Sequence, residues 1–411
     1  LIAPVLSMFF LTSYGVLNIS AAFEGLLASP SWRPTFKVKW PISLLGAICC
    51  FATMFMINAG ATFMAASVSL GVFYYMQHKK MNAHWGDVSY GMMMFVAQKA
   101  IYSLATRRAD ERTWRPNILV LSGSPTTRWY LIELANAMSI GKGLLTVAAI
   151  LPEDGIDSER RENMRTSIKG HLAKKGVPAL VKIQAASDPI AGACSLVETY
   201  GFGPLRPNTF LLGETEKEEN FINYAKLIKN VYDTRRNLVI VREGAEGTSS
   251  NIKRTIDVWW GRQRQNVGLM LALAHLLQSA PEWRRARLVL KSIVFKEDEK
   301  EEAVNRLQKF VENSRLKAEI AVIVKKEEEE VFETIRKSSR LVDLVFIGMR
   351  PPHTLKNLGE QADLGDSICE KEETLEEYAE YYSRLIERTN GYPPTAIVLA
   401  TEDIEFTRIF E

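Results

Sequence analysis

The segment whose residue types and spacing best suit ligand chemistry is Ser122-Gly123-Ser124. Two hydroxyl side chains flank a glycine after a strand-like run and before a helical one. Doubly wound folds bind phosphates at that place, on backbone N–H groups of a helix start. Pro125 follows, no GxGxxG is present, and no glycine-rich nucleotide signature surrounds Gly213. Two readings of the triplet stay open: a nucleotide-binding turn, or simply a tight turn. The five histidines (His78, His84, His171, His275, His353) are scattered, so neither a metal site nor a catalytic triad is expected. Cys49, Cys50, Cys194 and Cys369 make neither a disulfide framework nor a metal-ligand spacing. No cofactor is implied, and no enzyme is expected. A net charge of +3 gives no argument for nucleic acid.

The elements that would carry any site fall into two regions. A charged fraction of 24% and a mean hydropathy of -0.06 suggest a soluble chain, but the apolar residues are concentrated at one end. Between Leu1 and Met76 the only charges are Glu24, Arg33, Lys37 and Lys39. Ile2 to Phe23 is uncharged and long enough to cross a bilayer, which takes about 20 residues. Pro41 to Met76 is uncharged over about 36 residues and suits two short crossings around Asn58-Ala59-Gly60. Three spans are therefore expected, at about 2–27, 41–57 and 60–77; one long tilted helix in place of the last two is the alternative. Arg33, Lys37 and Lys39 follow the first span, His78, Lys79 and Lys80 follow the third, and the turn between carries no charge. By the positive-inside rule both basic segments, and everything after Lys80, face the cytoplasm. Glu24 is either solvated, paired with Arg33 or Lys37, or part of an ion pathway. The chain opens on Leu1 inside an apolar run, which reads as the continuation of a longer polypeptide.

Residues 81–115 read as a connecting amphipathic helix and linker, with Val88, Met92, Phe95, Val96, Lys99 and Tyr102 at helical spacing. From Asn117 short β-branched runs alternate with helical patterns. Strands are expected at 117–122, 144–151, 180–185, 209–213 and 238–242, apolar on both faces as parallel strands covered by helices should be. The same order returns at 255–260, 287–295, 319–324, 341–347 and 395–400, offset by about 140 residues. Two stacked, tandem doubly wound parallel-sheet units are the fold class expected here, over 116–250 and 251–411. Trp259-Trp260 at a strand end is expected in a core or interface, and Lys325–Glu330 at a solvated helix start.

Several stretches resemble the cation–chloride cotransporters of the amino acid/polyamine/organocation superfamily. Leu6–Ser20 (LSMFFLTSYGVLNIS) is similar to that family's tenth membrane helix, and Ser29–Phe36 (SPSWRPTF) to the loop after it. WPISLLGAICCFATMFMINAGA is similar to its eleventh and twelfth helices, followed by His84-Trp85-Gly86-Asp87. Thr113–Gly123 (TWRPNILVLSG) and Ile256–Trp260 (IDVWW) resemble the starts of the two halves of its cytoplasmic domain. The resemblance implies the last three of twelve helices, then a regulatory, dimerising domain similar to universal stress proteins, in the cell membrane. It implies chloride with potassium and/or sodium as transported partners, a homodimer, and contact with membrane lipid. It also implies that Tyr14 binds chloride, a role for which a phenolic O–H is suited because it donates without adding charge; packing against a neighbouring helix is the alternative role. Two other readings stay open: an amino-acid permease of the same membrane fold, and a membrane-tethered sensor whose α/β domain binds a nucleotide or partner.

Overall fold

The structure, a computed structural model, describes residues 2–27, 33–36, 38–78, 88–107, 111–123, 125–153, 157–215, 217–244, 254–261, 263–314, 316–352 and 373–402. It divides into two compact units, Leu1–Arg107 and Arg108–Glu411.

The first unit is helical: α1 (Ile2–Leu27), α2 (Trp40–Ile57), α3 (Ala59–His78) and α4 (Val88–Thr106). The first three are each long and apolar enough to cross a membrane. Pro41 opens α2, where its missing N–H is not needed, and Asn58 ends it; the Asn58 side chain then accepts from the Ala61 N–H at 3.0 Å and starts α3. Small residues set the α1–α2 packing. A Cβ on Gly15 would stand 3.2 Å from the Phe51 ring, and one on Gly46 would stand 3.2 Å from the Asn18 side chain.

The second unit is one ten-stranded sheet. Its strands are β1 (Ile118–Leu121), β2 (Leu145–Pro152), β3 (Leu180–Ala186), β4 (Thr209–Gly213), β5 (Asn237–Arg242), β6 (Thr255–Trp259), β7 (Arg287–Val294), β8 (Ala318–Val324), β9 (Leu344–Gly348) and β10 (Thr395–Leu399). The order is β3-β2-β1-β4-β5-β10-β9-β6-β7-β8, so each half is doubly wound with the same internal order. All pairings within a half are parallel; only β5 and β10 run antiparallel, from Thr395 opposite Arg242 to Leu399 opposite Leu238. The expectation of two stacked units is corrected here, because the halves join edge to edge. Two open edges would each leave a row of unpaired N–H and C=O groups, and β5 with β10 satisfies both at once.

Helices α5 (Trp129–Ser139), α6 (Ser158–Lys174), α9 (Arg264–Leu277) and α10 (Glu299–Ser314) cover one face. Helices α7 (Pro189–Thr199), α8 (Phe221–Asp233), α11 (Val331–Ser338) and α12 (Leu375–Arg388) cover the other. Local signals place several starts. Asp157 caps α6, Asp188 with Pro189 opens α7, and Thr374 with Glu377 forms a full capping box on α12. Glu327–Glu330 lie ahead of α11 rather than in it, where Lys325 Nζ donates to the carbonyls of Lys326 (2.9 Å) and Glu329 (2.7 Å).

Candidate functional site

Tyr14 sits midway along α1, exposed in the isolated helices, and its carbonyl accepts from Asn18 Nδ2 at 2.9 Å. Glu24, near the end of the same helix, has one carboxylate oxygen buried without a partner among the described residues. Lys37, Lys79, Lys80 and the His84–Asp87 motif lie outside the described residues.

In open α/β sheets ligands bind at the carboxyl ends of the strands, where strand order reverses. This sheet has two such places, at β1/β4 and at β6/β9, and they differ. At β1/β4 the crevice is filled by the protein itself. A Cβ on Gly213 would lie 3.1 Å from Tyr130 Oη and 3.2 Å from an Arg128 guanidinium nitrogen. Tyr224 Oη donates to the Gly213 carbonyl at 2.8 Å. Burial pushes the phenols of Tyr130 and Tyr224 above their usual range, Arg128 opposing it in both. Ser122, at the end of β1, is fully buried and its Oγ has no partner among the described residues. Gly123 takes the left-handed turn at φ 64°, while Ser124 lies outside the described residues.

At β6/β9 the sheet opens into a cavity of about 1100 Å³. Its floor is the ends of β6, β7 and β9, and α9, α10 and α11 form its sides. Of the tryptophan pair, Trp259 is core as expected, its indole donating to Ser339 Oγ at 3.1 Å. Trp260 turns to the opposite face and walls the cavity. Asn266 holds the rim, donating to the Met349 carbonyl and accepting from the Ala400 N–H, each at 2.8 Å. Gly348 is glycine because a Cβ there would stand 2.9 Å from that Asn266 amide.

Beside the cavity lies a buried ion pair that sequence reasoning missed. Asp257 on β6 and Lys291 on β7 meet at 2.7 Å, with side chains 1% and 9% exposed. Ser339 Oγ donates to the same Asp257 oxygen at 2.7 Å, and Lys291 Nζ reaches the Ser338 carbonyl at 2.7 Å. The available signal was an acid and a lysine, each in the middle of a mainly apolar strand.

The sequence model of solute carrier family 12 matches residues 128–252. Potassium/chloride cotransporter 3 of Caenorhabditis elegans is 28% identical over 364 residues, covering 83% of this chain and 33% of the relative. The chain thus spans about a third of that relative's length. Among crystal structures, the cytoplasmic domain of a prokaryotic cation chloride cotransporter aligns with 72% of this chain and 100% of its own at 15% identity and a TM-score of 0.48. A universal stress protein from Archaeoglobus fulgidus aligns with 70% of this chain and 98% of its own at 12% identity and a TM-score of 0.42.

Proposed function

We propose, taking relationship to the cation–chloride cotransporters as the premise, that this chain is the carboxy-terminal part of a secondary-active transporter moving chloride together with potassium and/or sodium. The observation that carries this reading is the extent of the match to a potassium/chloride cotransporter. At 83% of the chain it is longer than the α/β unit alone, so it includes part of the apolar helices.

In this reading α1, α2 and α3 are the last membrane helices of a larger bundle in the cell membrane, in contact with lipid. The basic residues Arg33, Lys37, Lys39 and Lys79 place the segments that carry them, and the α/β unit, in the cytoplasm. The α/β unit regulates transport and dimerises; its role is mechanical, and no reaction is assigned to it. Tyr14 contributes a hydroxyl to a chloride site completed by other helices, a role its exposed side chain on α1 leaves open.

Tracer uptake by the full-length protein in liposomes tests this directly. Rubidium or sodium uptake that needs chloride is the expected result. Uptake indifferent to chloride overturns the reading in favour of an amino-acid permease of the same membrane fold, which amino-acid flux would then reveal. A sensor reading is favoured by one observation, the buried and unpartnered Ser122 Oγ beside the left-handed Gly123. A nucleotide held there by Ser122, Gly123 and Ser124 would require Tyr130, Arg128 and Tyr224 to leave the crevice they fill, and Ser122→Ala should weaken its binding.

A further inference from the structure

We propose that the cavity at the β6/β9 reversal is a binding site for a small aromatic anion, a flat ring carrying one phosphate or carboxylate group. Trp260 and Phe310 meet edge to face, with centroids 5.0 Å apart and planes at 75°, and form an apolar corner. A further planar ring packs against such a corner with the same edge-and-face preferences. Arg264, in the first turn of α9, and Arg306, on α10, both line the cavity. Neither forms an ion pair or hydrogen bond with a described residue. No aspartate or glutamate is among the described lining residues, and the two guanidinium groups that line it favour an anion. Their planar, multi-donor geometry suits an oxyanion held by paired hydrogen bonds.

Ser292 adds a polar group to the lining: the residue is only 9% exposed and hydrogen-bonds to no described residue. Its hydroxyl is open to the cavity rather than sealed in the wall, and a ligand oxygen can pair with it there in place of water. The volume, about 1100 Å³, slightly exceeds the roughly 300–1,000 Å³ of most small-molecule sites and leaves room for a molecule of mononucleotide size with water around it. The other reversal point is packed with Tyr130, Arg128 and Tyr224 and offers no comparable space. The site does not depend on the transport reading, since every residue in it belongs to the second half of the sheet.

Calorimetric titration of the full-length protein in detergent tests the site. The probes are AMP (phosphate on a purine) and indole-3-acetate (carboxylate on an indole), with adenosine and inorganic phosphate as the separated halves. Saturable binding of AMP identifies a phosphate ligand, and saturable binding of indole-3-acetate a carboxylate one; either supports the site. Adenosine and phosphate should each bind at least about tenfold more weakly. Arg264→Ala and Arg306→Ala, both at exposed positions, should each weaken binding about tenfold, and Ser292→Ala about threefold, with unfolding temperatures unchanged for the arginine variants. Absence of binding by both probes overturns the proposal. So does binding unchanged in the double arginine variant, which places the probe elsewhere, or phosphate binding as tight as AMP, which leaves an anion patch with no aromatic site.

Discussion

Arg242 at the end of β5 and Glu214 just past β4 form a charge-assisted hydrogen bond of 2.5 Å from Nε to Oε2, with side chains only 5% and 13% exposed. The same guanidinium donates to Thr389 Oγ (3.2 Å) and the Ile386 carbonyl (3.0 Å) at the end of α12. One residue of the first half therefore closes the last turn of a helix in the second, where a cation complements the helix dipole. The bond sits at the antiparallel seam between the halves, opposite Thr395.

Removing one partner of that pair strands a buried charge. Glu214→Ala should cost about 3–5 kcal/mol of unfolding free energy. Glu214→Gln combined with Arg242→Met should cost clearly less than the two single changes added together, because contacting residues do not act independently. Denaturant unfolding of the purified chain measures both; additive losses would mean that the pair does not hold the seam.

The Asp257–Lys291 pair makes a parallel case in the second half. Lys291→Ala leaves Asp257 charged beneath α11 and should lower stability by about 3–5 kcal/mol. Lys291→Met with Asp257→Asn should recover most of the loss, since Ser339 can still donate to the amide oxygen that replaces the carboxylate. Amide exchange in α11 is the sensitive readout, because its last turn is what Lys291 grips.

Three buried tyrosines predict alkaline sensitivity. Burial raises the phenol pKa of Tyr378, Tyr382 and Tyr392 above the usual value. The folded state then keeps protons that the unfolded chain releases at about pH 10, so stability is full below that pH and falls as pH rises through it. Tyr382 has no hydrogen-bond partner for its hydroxyl among the described residues, whereas Tyr378 donates to the Arg350 carbonyl at 2.8 Å. Tyr382→Phe should therefore be neutral or stabilising by about 1 kcal/mol and should blunt the alkaline loss, while Tyr378→Phe should destabilise by about 1 kcal/mol. Thermal melts at about pH 7 and about pH 10.5, on either side of the unfolded phenol's titration, measure both effects.

Tyr14→Phe removes a hydroxyl and little else. In the full-length transporter it should raise the chloride concentration needed for half-maximal uptake by about tenfold, the worth of one hydrogen bond to an anion. Unchanged chloride dependence with normal expression would leave Tyr14 a packing residue.

Much of the fold is legible residue by residue. The uncharged runs around Ser7–Ala21 and Pro41–Ile57 could only be stable as helices in an apolar phase, because every backbone group must be satisfied within the segment. Runs such as Ile118–Leu121 and, within β5, Leu238–Val241 are apolar on both sides, which already calls for helices on both faces of the sheet. The matching order of the two halves exposed the duplication, and Gly213 and Gly348 marked corresponding strand ends.

What the chain's own residues determined, then, is each element, its faces and the repeat, since periodicity and charge act over a few neighbours. The antiparallel joining of β5 to β10, the grip of Arg242 on α12 across some 147 residues of sequence, and the meeting of Asp257 with Lys291 were decided only in three dimensions. Strand edges and lone charges carry no local record of their partners. The same holds for the two reversal points, one packed shut by Tyr130 and Tyr224 and one left open beside Trp260. Their strands look alike in sequence, and what differs is which distant side chains fold into the gap.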